Sequence, residues 1–177
     1  APFQAAAKLN LLDGRFTVMD YGCGRGDDLA ILEAEGIDAV GWDPNFRPDG
    51  VCEARDIVNL GFVINVIEDR FERAEALSSA FALADKMLLV AAMIATDRQL
   101  ERFTPYKDGV VTSRNTFQKY YSQQDLREYI SGECGANPIA LASGVFAVFK
   151  DPQLEFECLT ARYRRANHWN NARRRSK

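Results

Sequence analysis

The chain has 177 residues, enough for one domain with a proper core, and its 47% hydrophobic and 27% charged content is that of an ordinary soluble protein. No apolar run approaches transmembrane length, which leaves no candidate for a membrane-spanning helix; the longest, Met87 to Ala95, suits a buried parallel strand. The net charge of −3 hides an asymmetry: from Cys158 onward there is no acid, while Arg162, Arg164, Arg165, Arg173, Arg174, Arg175 and Lys177 are all basic. Such a block is either an interaction tail for nucleic acid or a solvated C-terminal helix.

No secretory signal is visible, and the chain begins at Ala1 without a methionine, as a processed or excised start would. Cys23, Cys52, Cys134 and Cys158 are scattered, with no C-x-x-C spacing for zinc or redox work, and are expected to be reduced thiols of a cytoplasmic protein. His168, the one histidine, lies in the basic block beside Trp169 and makes no metal site alone.

In chain order, Pro2 to Leu12 reads as a short helix, apolar at Phe3, Ala6, Ala7 and Leu11 and closed by Asp13-Gly14. Phe16 to Tyr21 is a strand that ends on Asp20 and runs into Gly22, Gly24 and Gly26, spaced two apart. Lacking Cβ atoms, these glycines allow a sharp turn and close approach to a ligand. Asp27 to Glu35 is the next helix, stopped by Gly36, and Asp27 and Asp28 lie where a helix start favours negative charge. A dinucleotide fingerprint would read G-x-G-x-x-G, and a pyrophosphate would be repelled by the three acids. A nicotinamide-dependent oxidoreductase is thereby disfavoured.

Asp20 with the G-x-G-x-G turn resembles motif I of the class I S-adenosylmethionine-dependent methyltransferases. In that group the acid and the turn face the cationic methionine end of the cofactor. Val40 to Asp43 is the second strand, and its terminal Asp43 falls at the position that accepts from ribose hydroxyls. Pro44 to Gly50 is a loop. The short run from Asp43 to Asp56 holds less than a full crossover, so the third strand of that fold is expected to be vestigial or absent.

Asp56 to Asp69 resembles the fourth-strand segment of such methyltransferases, whose carboxyl end faces the ligand crevice. Asn59, Gly61, Phe62 and Asn65 are placed there against cofactor and substrate, although Asn65 also reads as a turn residue satisfying the backbone. Arg70 to Asp85 is an amphipathic helix with Phe71, Ala74, Leu77, Phe81 and Ala84 on its apolar stripe, and Met87 to Met93 is the fifth strand. Ala95 to Tyr121 is long enough to be a lid. Within it Arg114, Gln118 and Lys119 offer donors and Phe117, Tyr120 and Tyr121 offer stacking faces, a mixture suited to bound bases or to anchoring the lid itself. Ser122 caps a helix running to Ser131. Pro138 to Ala142 and Val145 to Lys150 pair across Ser143-Gly144, which makes the last strand antiparallel.

Asp20 to Asp28, Gly41 to Pro44, Val58 to Asp69 and Thr112 to Tyr120 together resemble the methyltransferase family associated with DNA phosphorothioation, over Leu9 to Lys150. The resemblance implies a Rossmann-like α/β fold: three αβα layers, a mostly parallel sheet with an antiparallel last strand, and a shortened third-strand region. It implies an S-adenosylmethionine domain over residues 1–150, with a basic tail, 151–177, that starts a further region of a longer protein. Cofactor contacts are expected from Asp20, Tyr21, Gly22, Gly24, Asp27, Asp43, Pro44, Asn59, Gly61 and Phe62. Asn65, Glu68 and Tyr120 are the catalytic candidates, and Arg114, Phe117, Gln118, Lys119 and Tyr121 the substrate candidates. A nucleic-acid partner is expected from the tail and the lid, and no metal. DNA amino-methyltransferases carry [D/N/S]-P-P-[Y/F] after this strand; Asn59-Leu-Gly-Phe62 keeps the ends without the prolines, so an RNA or small-molecule acceptor stays open. A non-catalytic module of a larger assembly is the alternative.

Overall fold

A computed structural model describes residues 2–175, with side chains up to residue 165. In chain order it runs α1 (Pro2–Lys8), β1 (Val18–Tyr21), α2 (Asp27–Ala34), β2 (Ala39–Trp42), β3 (Arg55–Gly61), α3 (Arg70–Leu83) and β4 (Ala84–Ala91). Then come α4 (Asp97–Leu100), β5 (Thr104–Tyr106), β6 (Gly109–Val111), β7 (Phe117–Gln118), α5 (Gln123–Cys134), β8 (Ile139–Ala142), β9 (Val145–Phe149) and α6 (Pro152–Arg175).

The main sheet has the order β2-β1-β3-β4-β9-β8. β1 to β4 are parallel neighbours and β9 is antiparallel to both β4 and β8. The third-strand unit predicted to be missing is absent, and β2 forms the sheet edge. Period-two alternation splits the core. Met19, Val58, Leu88, Val90 and Phe146 face α3 and α5, while Val18, Ile57, Leu89 and Ala147 face α1, α2 and the first turns of α6, which contribute Leu154 and Cys158. Burial on both faces explains the unbroken apolar composition of Met87 to Ala91, all 0% exposed.

Three expectations are corrected. α1 ends at Lys8 rather than Leu12, because Asn10 takes φ 57° and the Leu11 and Asn10 amides return to the carbonyls of Ala6 and Ala7 at 3.1 and 3.0 Å, a Schellman stop that precedes Asp13-Gly14. α3 ends at Leu83 and buries Arg73, Ala76, Leu77 and Ala80, while Phe71 is 70% exposed. Its inward face is turned away from the predicted stripe because a fully partnered arginine takes an interior position. β4 begins at Ala84, directly off α3 and three residues before the expected Met87. The lid also has structure of its own: β5, β6 and β7 form a second, three-stranded antiparallel sheet.

His168, Trp169 and the tail basics beyond Arg165 lie in or beyond the last turns of α6, where side chains are outside the described residues. Among the described residues no helix is long and apolar enough to cross a membrane.

The β8–β9 turn docks on the carboxyl end of β4 through Gly144, whose carbonyl accepts from the Ala92 amide at 3.0 Å. Gly144 has φ 68°, and a Cβ there would lie 2.6 Å from the Ala92 carbonyl oxygen. Gly144→Ala is expected to lose about 1–3 kcal/mol in urea denaturation; an unchanged midpoint would show that this junction carries no strain.

Candidate functional site

The glycine turn is sewn to β2. The Gly22 and Cys23 amides both donate to the Trp42 carbonyl, at 2.8 and 3.1 Å, and the Gly24 amide donates to Asp43 Oδ2 at 3.0 Å. Asp43 Oδ1 accepts from the Asn45 and Phe46 amides, each at 2.9 Å. Asp43 therefore first holds the loop, and Oδ2 retains a lone pair for one more donor. Gly26 (φ 88°) is the N-cap of α2 without a side-chain cap, so Asp27 and Asp28 occupy the first turn, exposed. A Cβ on Gly22 would strike Val63 at 2.4 Å, whereas one on Gly24 would meet nothing within 4 Å. The turn is closed on its β3 side and open at Gly24.

Asp20 is 4% exposed and its Oδ1 accepts from Asn59 Nδ2 at 2.8 Å. Burial pushes its carboxyl up to about 6; the Asn59 hydrogen bond opposes this, and the nearby charges of Asp28 and Asp43 add to it. Asn59 is 3% exposed, and its Oδ1 is buried without a partner. Among the described residues no cation pairs with this acid, and such a carboxyl beside an unused acceptor is a site prepared for a cationic, hydrogen-bond-donating group. Gly61 lies against the Asn59 amide, and the buried Pro2 of α1 covers it. Phe62 follows in the left-handed region (φ 61°), which few bulky residues adopt, and is 37% exposed. Tyr21 packs against Trp42 at 5.2 Å, and Pro44 is exposed in the Asp43 turn.

Asn65 is 3% exposed; its carbonyl accepts from the Lys119 amide at 2.7 Å, and its Oδ1 has no partner. Glu68 is exposed and committed to the lid, where it pairs with Lys107 and accepts from the Tyr106 hydroxyl at 3.2 Å. The Lys107 bond holds its carboxyl below the usual range. Tyr120 stacks on Phe103 at 5.7 Å and lines a cavity of about 480 Å³ with Arg73, Tyr121 and Tyr129. Arg114 is exposed at the β6–β7 turn, Gln118 buries an unpartnered Nε2, and Tyr121 is 4% exposed in the core. The structure thus gathers Asp20, Gly24, Asp43, Asn59 and Gly61, leaves Arg114 at the lid tip and builds Tyr121 into the core.

Periodicity did not reveal Arg73. At 2% exposure its guanidinium forms an ion pair with Asp108 at 2.7 Å and donates to the carbonyls of Ile67 and Glu68, at 2.9 and 3.3 Å through Nη2. Phe117 lies 5.7 Å from it, and Lys119 Nζ reaches the Asp108 carbonyl at 2.9 Å. This knot ties the loop after β3 to the lid. A usable signal existed: Arg73 shares one helix face with Ala76, Leu77 and Ala80. Arg47 was also missed; it covers the glycine turn, 2.5 Å from where a Gly26 Cβ would stand. Among the described residues no three His, Cys, Asp or Glu side chains are placed to hold a metal ion.

The chain matches no protein-family model and no curated protein. Its fold has solved counterparts. The 1,6-didemethyltoxoflavin-N1-methyltransferase of Burkholderia thailandensis, solved with 1,6-didemethyltoxoflavin and S-adenosylhomocysteine, superposes with TM-score 0.56 at 16% identity, over 85% of this chain and 78% of that one. The fold is that of the methyltransferases. Magnesium protoporphyrin IX methyltransferase from Synechocystis with bound S-adenosylhomocysteine gives TM-score 0.56 at 16% identity, over 85% and 83%. A sugar N-methyltransferase from a Streptoalloteichus species gives 0.59 at 14%, over 85% of each chain.

The Arg73 knot generates a stability prediction. Arg73→Ala should cost about 2–3 kcal/mol in urea denaturation, less than a fully buried pair because the Asp108 side chain is 43% exposed. The Arg73 bond draws the Asp108 carboxyl down to about 2. Its contribution is therefore complete above the unfolded-state value near 3.8 and is lost as pH falls through about 2. The difference between the two proteins should narrow at the acid end of a pH series to what the bonds of Arg73 to the Ile67 and Glu68 carbonyls keep; a difference that ignores pH would show that the Asp108 pair contributes nothing.

Proposed function

We propose that this chain is an S-adenosylmethionine-dependent methyltransferase whose acceptor is nucleic acid, in the setting of DNA phosphorothioation or a related modification and defence system. The observation that carries the cofactor assignment is the buried Asp20 carboxyl, without a cation and beside the free Oδ1 of Asn59, at the mouth of a glycine turn left open at Gly24. The methyltransferase fold supports it. The nucleic-acid acceptor is supported by the basic run of α6, by the four sequence blocks that resemble the phosphorothioation-associated family, and by lid residues that mix cations with aromatic rings. The structural neighbours named above act on a toxoflavin precursor, a porphyrin and a sugar, so a small-molecule acceptor is the competing outcome.

Asp20 and Asn59 would hold the cationic methionine end, and the spare lone pair of Asp43 Oδ2 would take a ribose hydroxyl. When bound, S-adenosylmethionine supplies an already activated methyl group. The protein's work is then to position an acceptor and exclude water. The unpartnered Oδ1 of Asn65 would accept from an acceptor amino or hydroxyl group, and Tyr120, which follows the Lys119 amide bonded to the Asn65 carbonyl and stacks on Phe103, would line the approach from the lid. Glu68, tied to Lys107 and Tyr106, serves better as a lid clasp than as a base.

A second reading, a non-catalytic module that binds cofactor or nucleic acid within a larger assembly, is favoured by the missing third-strand unit. Radiolabelled cofactor incubated with nucleic acid separates the two: binding without label transfer supports the module.

Two predictions test the cofactor site. Asp20 must ionise to hold a cation, and its carboxyl lies near 6 before binding. Affinity for S-adenosylmethionine should rise with pH through about 6 and be about tenfold weaker at pH 5 than at pH 7.5 by calorimetry. Asp20→Asn should weaken binding and flatten that pH profile; wild-type binding that ignores pH, or none at all, removes the assignment. Phe62→Asn trades a strained ring for a residue at home in the left-handed region. It should keep stability within about 1 kcal/mol while binding weakens, and equal affinity for the two proteins would dismiss Phe62 as a contact.

A further inference from the structure

Across the sheet from the lid, α1, the β8–β9 turn and α6 enclose a groove of about 330 Å³, lined by Gln4, Lys8, Leu9, Ser143, Arg162 and Arg165 among others. Three cations border it, all exposed: Lys8 on the last turn of α1, and Arg162 and Arg165 one turn apart on α6. Among the described residues none of the three forms an ion pair with a carboxylate. Their recorded partners are neutral: Arg162 donates to the Ala140 carbonyl and Arg165 to Asn10 Oδ1. The first contact holds Arg162 on the wall, the second reaches Arg165 only at 3.5 Å, and neither spends a charge. Ser143 and Gln4, both exposed, add a hydroxyl and an amide. Three uncompensated cations with neutral donors around a concavity make a site for an anion that presents several oxygens.

The groove's place bears on which anion that is. Val145 pairs with Ala91, so the β8–β9 turn stands at the carboxyl end of β4, the same end of the sheet as the glycine turn. The arginines continue along α6 as Arg173, Arg174 and Arg175 in the sequence. We infer that the groove of Lys8, Arg162 and Arg165 holds the phosphodiester backbone of a nucleic-acid strand, guiding it along α6 toward the crevice. The inference rests on the nucleic-acid reading of the acceptor and gives it a location. A strand held there by its phosphates is bound without regard to sequence, which leaves selectivity to the crevice and lid. A membrane surface is the rival partner, since α6 also exposes Phe156 at 71% and Tyr163 at 69%. The groove is concave, however, and its cations converge from two elements rather than from one flat helix face.

The test is fluorescence anisotropy of a labelled single-stranded oligodeoxynucleotide against the full chain, wild type and K8Q/R165Q, with thermal melts to show that both are folded. Wild type should bind with strong salt dependence. The double variant should bind about tenfold more weakly, alike for unrelated sequences, with the salt slope reduced by about 1.4, or about 0.7 for each single-strand phosphate contact. Equal affinity and slope for the two proteins overturn the groove, as does loss confined to a variant neutralised at Arg173, Arg174 and Arg175. Binding to phosphatidylserine vesicles with no oligonucleotide binding overturns the choice of partner. Calorimetry with S-adenosylmethionine runs in parallel: cofactor binding without any oligonucleotide binding sinks the groove and the nucleic-acid acceptor but leaves the methyltransferase reading, wild-type oligonucleotide binding that the double variant keeps sinks the groove alone, and failure of both ligands to bind sinks the methyltransferase reading as well.

Discussion

A carboxyl group buried between two central strands, with one amide donor beside it, constrains everything around it. Asp20 on β1 and Asn59 on β3 face each other across neighbouring strands, joined by a hydrogen bond of 2.8 Å. A pair of apolar side chains at these positions would stabilise the sheet more, since an acid deprived of water and of a counter-charge costs free energy above its raised titration point. The glycine turn, the Asp43 brace and the Pro2 cover all serve to keep that destabilised pair at the mouth of a crevice and out of bulk water. Where local stability is given up at one spot and the surroundings hold the spot in place, the unspent interaction is available to a ligand.

The second organising contact acts on the lid. Arg73 reaches from α3 to the loop after β3 and to Asp108 at the β5–β6 turn, while Lys119 joins Asp108 from β7's far end and Asn65 through its backbone. The loop carrying Asn65 and the lid carrying Tyr120 are therefore bonded to each other directly and through Arg73. Glu68 with Lys107 and Tyr106 is an outer clasp on the same joint, solvent-exposed and weak by comparison. It is the weaker of the two joints, since the inner knot has a buried guanidinium with four oxygen partners.

These contacts explain which parts of the molecule were legible in the chain. The strand–glycine–helix unit, the buried β4 and the closing hairpin announce themselves by local signals, namely period, glycine spacing and turn chemistry, and the missing third strand by simple want of residues. Arg73 leaves only the faint local trace of sharing a helix face with Ala76, Leu77 and Ala80, and Asp108 and Arg47 announce nothing locally. Each takes its meaning from partners far along the chain, 35 residues away for the Arg73–Asp108 pair. The apolar stripe of α3 was misplaced for the same reason: a charged residue becomes an interior one only when distant partners satisfy it. Asp43 was placed at the right strand end, and its bonds from the Asn45 and Phe46 amides are local, but its bond from the Gly24 amide depends on a fold that spacing does not encode.

The lost third-strand unit raises a problem that the loop after β2 solves. Without that unit β2 is a sheet edge, with unpaired backbone groups that invite pairing with another chain. The strand is only four residues long, and the loop carries Pro44 and Pro48, which cannot donate to an added strand. The loop then folds back: the Arg47 amide donates to the Asp43 carbonyl at 3.0 Å, and Gly50 lies so close that a Cβ would stand 2.4 Å from the Gly41 carbonyl oxygen. A segment that covers the edge in this way also delivers Arg47 over Gly26 and Phe46 beneath Arg25, 5.3 Å from its guanidinium. Edge protection and the outer wall of the glycine turn are thus one structure. A chain without the third-strand unit closes its sheet edge and walls its glycine turn with the same few residues.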